Sequence, residues 1–141
     1  VVEENDIIFR PASVASAGGD GGTLEALDAT WSRTVTPDPV LMFRHSAVTF
    51  NSHRIHYDRD YAREKRYPGL LVQGTLIARL MLDLLAAEKP GFNVGKFSFR
   101  SGRPIYDNGD FRILADPDGG EIVFRALDHA GKPGMTARAS A

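Results

Sequence analysis

Asn51-Ser52-His53-Arg54-Ile55-His56-Tyr57-Asp58 gathers an amide, two imidazoles and a carboxylate into eight residues. A short polar segment leads from it to Tyr67-Pro68-Gly69-Leu70-Leu71-Val72-Gln73-Gly74, the opening of the most apolar helical stretch in the chain. That order suits carbonyl chemistry: an acid/base group on a loop, then glycines starting a helix whose free N–H groups can hold a developing oxyanion.

Each of these residues also has a plain structural role. His56 has the pKa range for general acid/base work, but a loop histidine bonded to backbone carbonyls has the same appearance in sequence. Asn51 is either an amide that orients a water or carbonyl, or an Asx-turn residue ending the preceding helix. His53 is a second polar wall or plain surface. A His53/His56 metal site lacks a third ligand, so no metal is expected. Gly74 is either an oxyanion donor or a glycine where helix and sheet come close. Arg54, Arg100 and Arg103 have the chemistry to pair with phosphates, and solvation is the simpler reading for each.

The elements that must position this corner follow from pattern. Thr30–Thr36 alternates like a strand, and Thr36-Pro37 reads as a helix start continuing through Val40–Phe43 and Ala47-Val48. Asp58 is placed to cap a short helix through Tyr61–Glu64. From Leu70 to Ala87, apolar residues cover most of a helical circumference, which requires burial, and Pro90-Gly91 ends the run. The rest is β in character: Lys96–Arg100, Pro104–Tyr106, Phe111–Leu114, Ile122–Ala126 and a last strand from about Gly134. The turns fall at Asp107–Gly109, Asp116–Gly120 and Asp128–Lys132. One buried helix followed by an antiparallel meander predicts an α+β domain in which the sheet wraps the helix.

The chain has 141 residues, enough for one compact domain, with 43% hydrophobic and 25% charged residues, an ordinary globular balance. A net charge of -1 gives no reason to expect nucleic acid or an anionic membrane as partner. No apolar run approaches the roughly 20 residues of a membrane span. The absence of cysteine excludes disulfides, cysteine nucleophiles and thiolate metal sites. The start shows no basic-then-apolar leader, so a cytoplasmic location is expected, or a mitochondrial one in a eukaryote. Asp6–Arg10 is a short strand-like run, and Pro11–Thr23 reads as a Gly-rich linker. Residues 1–23 are therefore expected to be an arm and linker, and 24–141 the domain.

Together, Thr49-Phe50-Asn51-Ser52-His53-Arg54-Ile55-His56-Tyr57-Asp58 and Tyr67-Pro68-Gly69-Leu70-Leu71-Val72-Gln73-Gly74 resemble the hydratase corner of MaoC-like hotdog proteins. The similarity is to the branch holding type 2 3-hydroxyacyl-thioester dehydratases and mesaconyl-C4-CoA and itaconyl-CoA hydratases. Phe97-Ser98-Phe99-Arg100 and Arg103-Pro104-Ile105-Tyr106-Asp107 resemble that branch's strand after the central helix, so the likeness runs from about Trp31 to Ala139.

The resemblance implies a hotdog fold and reversible addition of water across the α,β double bond of an acyl thioester. It implies His56 as general base and acid, Asn51 as the group that positions water, and the Gly74 N–H as oxyanion donor. His53, Arg54, Leu71, Val72 and Gln73 would line the substrate site. The substrate carrier would be coenzyme A or acyl carrier protein, with no metal or redox cofactor. Classical R-specific hydratases carry an Asp where this chain has Asn51, and an amide cannot take a proton. Proteins of the branch often hold two hotdogs in one chain, so the expected assembly is a homodimer or a pseudo-dimer with another hotdog, and Val1–Arg10 resembles the end of a preceding half. Two rivals remain: a hotdog thioesterase, which usually has a carboxylate on the central helix (here Asp83), and a non-catalytic acyl-binding or partner half.

Overall fold

The computed structural model describes residues 1–7 and 28–141. Most of the strand-like run at Asp6–Arg10, the Gly-rich linker and the boundary at Leu24 lie outside the described residues, and Asp6 and Ile7 carry no regular structure.

The element order is β1 (Trp31–Val35), α1 (Pro39–Thr49), a 3₁₀ turn (Arg54–His56), α2 (Arg59–Glu64), α3 (Gly74–Glu88), β2 (Lys96–Ser101), β3 (Phe111–Asp118), β4 (Glu121–Leu127) and β5 (Pro133–Ser140). The strands form one antiparallel sheet in the order β1-β3-β4-β5-β2. Helix α3 lies against β1, β3 and β5, burying Leu76, Ile77, Ala78, Met81, Leu84 and Leu85. The predicted α+β arrangement, one long helix against an antiparallel sheet, is what forms.

Helix α1 begins two residues later than its sequence suggests. Asp38 is the cap, accepting from the Val40 and Leu41 N–H groups at 2.8 and 3.0 Å, and Pro39 occupies the first turn. The Thr36 hydroxyl instead donates to Asp110 at 2.8 Å, tying the end of β1 to the start of β3. Asp58 caps α2 as expected, accepting from the Tyr61 N–H.

Helix α3 starts at Gly74, not Leu70. The Leu70, Leu71 and Val72 N–H groups donate to Asp107 Oδ1, the Ile55 carbonyl and the Ile105 carbonyl, so these residues stay extended. The same pairing explains why Pro104–Tyr106 is not a strand: it offers only the isolated bridge between Tyr106 and Leu71. Strand β3 runs through Pro117, which lies beyond the last β1 partner of β3, Ala115, where a missing N–H faces no neighbouring strand among the described residues. The β3–β4 turn is therefore confined to Gly119 and Gly120, whose φ values of 56° and 92° are those of a two-residue type I′ hairpin.

The core is a ladder of large against small. Fully buried Phe124 on β4 is flanked by Ala115 and Ala137 and meets Phe97 edge-on, centroids 6.2 Å apart. The alanines cannot fill the space a smaller residue would leave. Phe124→Ala is therefore expected to cost about 3–5 kcal/mol of stability, read as a lowered urea midpoint at unchanged m-value.

Candidate active site

The 3₁₀ turn at Arg54–His56 packs His56 inward, leaving it 7% exposed. Its Nδ1 lies 2.7 Å from the Leu71 carbonyl oxygen, a pure acceptor, so Nδ1 carries the proton and donates. The lone pair is then on Nε2, the form a general base requires. Burial lowers the pKa of His56. The bond to Leu71 opposes that shift, and the imidazoles of His53 and His45 add to it. His53 stands edge-on to His56, ring centroids 5.9 Å apart.

Three residues beyond Leu71, Gly74 opens α3, so no more than about 10 Å of chain separates the carbonyl that orients His56 from this helix start. The Leu76 and Ile77 N–H groups donate to the Gln73 carbonyl at 3.0 and 3.1 Å, which leaves those of Gly74 and Thr75 without an intrahelical partner, and the helix dipole reinforces them. A cleft of about 160 Å³ opens here, lined by Leu71, Val72, Gly74, Ile77, Ser101 and Met135 among others. A Cβ on Gly74 would stand 3.2 Å from Ser101 Oγ and 3.4 Å from Met135 Cε, so the glycine keeps this cleft open.

Asn51 is placed differently. Phe50, with φ of 54°, ends α1 in the left-handed region, and the Asn51 N–H donates to the Ser46 carbonyl at 2.9 Å. Asn51 Oδ1 accepts from the His53 N–H at 3.1 Å, which is the Asx-turn geometry. Asn51 thus borders the His53 side of the site. It lines a separate apolar groove of about 340 Å³ with Phe43, Ser46, Ala47, Phe50, Ser52 and Tyr57.

Among the residues expected to bind substrate, Leu71 and Val72 line the Gly74 cleft. Arg54 does not reach toward it: its guanidinium pairs with Asp58 at 2.8 Å and stacks on Tyr61 at 4.4 Å. Gln73 is also not a wall residue. It is buried, and its amide nitrogen donates to Met42 O and Ser46 Oγ at 2.9 Å each, pinning the start of α3 to α1. Asp83, the carboxylate on the central helix, pairs with Arg79 at 2.8 Å on the exposed side, away from the cleft.

Two contacts have no counterpart in the sequence reading. His45 Nε2 lies 2.8 Å from Thr75 Oγ1, joining α1 to the first turn of α3. Asp107 joins the Leu70 backbone to Arg59. Both are tertiary pairs, 30 or more residues apart in sequence, with no local periodicity to announce them. Among the described residues no cluster of His, Asp and Glu is arranged to hold a metal, and no helix is long and apolar enough to cross a membrane.

The lowered pKa of His56 carries a stability consequence. Above pH 6.5 the imidazole is neutral folded and unfolded. As pH falls below 6.5 the unfolded chain binds the proton first, so stability declines until pH passes the lower folded value. His56→Gln is expected to shrink that decline between pH 7.5 and 5.5 in urea melts, leaving the smaller share due to His45, whose pKa is also lowered by burial.

A family profile, hydroxyacyl-thioester dehydratase type 2, matches residues 1–107. The chain is similar to mesaconyl-C(4)-CoA hydratase of Chloroflexus aurantiacus, 44% identical over 138 residues, covering 97% of this chain and 49% of that protein. It is similar to the mitochondrial hydroxyacyl-thioester dehydratase type 2 of Schizosaccharomyces pombe, 33% identical over 106 residues, covering 73% of this chain and 35% of that protein. The chain thus spans half or less of the length of these relatives. Its backbone superposes on R-hydratase PhaJ1 of Pseudomonas aeruginosa with a TM-score of 0.66 at 20% identity, over 77% of this chain and 75% of that one. The fold is the hotdog that the resemblance implied, and the chain belongs to the hydroxyacyl-thioester dehydratase type 2 family.

Proposed function

We propose that this chain is a hydro-lyase domain that adds water reversibly across the α,β double bond of an acyl thioester. The observation that carries this is the His56 imidazole, locked with Nε2 free by the carbonyl of Leu71, which stands three residues before the glycine that opens α3. In the hydration direction, His56 Nε2 takes a proton from water as the oxygen adds to the β-carbon. The electron pair of the double bond moves to the thioester oxygen, which accepts from the Gly74 N–H. The proton on His56 then passes to the α-carbon, giving the 3-hydroxyacyl thioester. A donor such as Gly74 is worth about 3–4 kcal/mol of barrier.

The substrate class we infer is a dicarboxylic acyl-CoA, on the strength of the likeness to a mesaconyl-C(4)-CoA hydratase over 97% of the chain; acyl carrier protein is the alternative carrier. We further propose that a second hotdog, from another copy or a preceding half, completes the site. Among the described residues edge strand β2 has an unpaired side for it, and the end of α1 exposes Phe43 and Phe50, 63% and 94% accessible, beside the Asn51 groove. The compartment we propose is the cytoplasm, or the mitochondrion in a eukaryote.

A second reading is favoured by one observation: Asn51 Oδ1 is occupied by the His53 N–H, which fits a partner half that does no chemistry. Loss of enoyl-thioester absorbance with crotonyl-CoA, a longer enoyl-CoA, mesaconyl-CoA and itaconyl-CoA separates the two readings. Turnover that falls about 10²–10⁴-fold in His56→Ala is the expected result. Silence from a folded assembly supports the partner half, and release of free thiol supports a thioesterase. Asn51→Asp sets a carboxylate beside His53, whose ring stands against that of His56, and the added negative charge favours the imidazolium. The acidic limb of kcat/KM is therefore expected to move to higher pH in that variant.

A further inference from the structure

Asp107 lies behind the site, on the far side of the backbone that His56 grips. Its side chain is 2% exposed, and both carboxylate oxygens are engaged. Oδ1 accepts from the Leu70 N–H at 2.7 Å, and Oδ2 accepts from Arg59 Nη2 at 2.7 Å. The Asp107 N–H returns a bond to the Leu70 carbonyl at 2.9 Å. Leu70 immediately precedes the residue whose carbonyl receives the His56 proton, and Arg59 follows His56 by one turn at the start of α2.

The Asp107 carboxylate therefore bridges the same two segments that the His56–Leu71 hydrogen bond joins. One oxygen holds the segment that presents the carbonyl, and the other holds the segment that presents the ring. The Leu71 N–H to Ile55 carbonyl bond, 2.9 Å, runs between these two braces. Gly69 is part of the arrangement: a Cβ there would lie 2.5 Å from Asp107 Oδ1, so any side chain would displace the carboxylate. Nothing in this clasp touches a reacting atom.

We propose that Asp107 is a positioning residue for His56, acting through the Leu70–Leu71 backbone and Arg59 to hold the imidazole in the Nδ1–H tautomer with Nε2 directed to substrate. This rests on His56 as the base of the proposed hydration. The charged and titratable groups around the ring are His53 beside it, His45 on α1, and the Arg59–Asp107 pair behind. With the clasp loosened, the Leu71 carbonyl no longer favours the protonated ring, so burial acts unopposed and His56 titrates at lower pH.

The test is a ¹⁵N NMR titration of the imidazoles in the folded, assembled protein, run beside steady-state hydration kinetics on Asp107→Asn and Arg59→Ala. Arg59→Ala removes an exposed guanidinium and leaves the buried carboxylate bonded to Leu70, so it answers the question if Asp107→Asn does not fold. The expected result is a mixed His56 tautomer, a titration midpoint moved to lower pH, and a loss of kcat of about tenfold to a hundredfold at nearly unchanged KM. Gly69→Ala is expected to move the same signals in the same direction with the Asp107 charge kept. Variants that lose kcat or thermal stability while the His56 tautomer and midpoint stay as in the parent would overturn the proposal. So would variants that change neither. Full activity in His56→Ala would refute the catalytic reading instead, and would leave the NMR result on ring positioning standing.

Discussion

The extended backbone of Leu70–Val72 is the constraint on which the site depends. Its peptide groups are spoken for on every side: Leu70 by Asp107, the Leu71 N–H by Ile55, the Leu71 carbonyl by His56 and the Val72 N–H by Ile105. These partners come from the polar loop before it and from the Ile105–Asp107 segment after β2. Burying so many backbone groups is tolerable because each is paired, and leaving one unpaired would cost about 1–3 kcal/mol. One short segment thus fixes the orientation of the imidazole and the residue at which helix α3 begins. Gln73 completes the arrangement from the other side, anchoring the helix start to Met42 and Ser46 of α1.

The helix that follows does two jobs from one sequence run. Its buried face supplies Leu76, Ile77, Met81, Leu84 and Leu85 to the core, and the sheet holds that face in place. Its first turn begins with the Gly74 and Thr75 N–H groups free of intrahelical partners, and Gly74 keeps the cleft open because it carries no side chain to fill the space beside Ser101 and Met135. Packing and the proposed oxyanion geometry are therefore coupled: the depth to which α3 seats in the sheet decides where its first N–H groups point.

The parts of this arrangement that are legible in sequence are those written in local pattern. Strands β3, β4 and β5 show alternation or tight glycine turns, and the density of apolar residues in α3 marks it as buried. The start of α3 is not legible, because Leu70, Leu71 and Val72 have the hydropathy of the helix and only their distant partners hold them extended. Pro104–Tyr106 has the composition of a strand but finds a single bridging partner. In the site, the loop chemistry and the glycine of the helix start stand out as residue types at close spacing. The burial of Gln73 does not, since it depends on neighbours that folding supplies, whereas Arg54 is engaged locally by Asp58 four residues on. Asp107 reads as a turn residue, and its second acceptor bond, to Arg59 48 positions away, is invisible until the chain is folded.

The charge around His56 sets the character of its chemistry. The carboxylate nearest in sequence, Asp58, is committed to Arg54 and to the Tyr61 N–H at the cap of α2. Position 51 is an amide, the ring's Nδ1 faces the neutral Leu71 carbonyl, and its neighbours His45 and His53 are themselves basic. Such an imidazole is neutral at neutral pH and suited to the base role proposed for it, but it is a weak base, because among the described residues no carboxylate pairs with the ring to stabilise the imidazolium formed when it takes a proton. In the proposed hydration, a site built this way must lower the barrier at the other end of the electron shift. The start of α3, where the Gly74 and Thr75 N–H groups lie at the positive end of the helix dipole, is the feature of this chain that would do so in the proposed hydration.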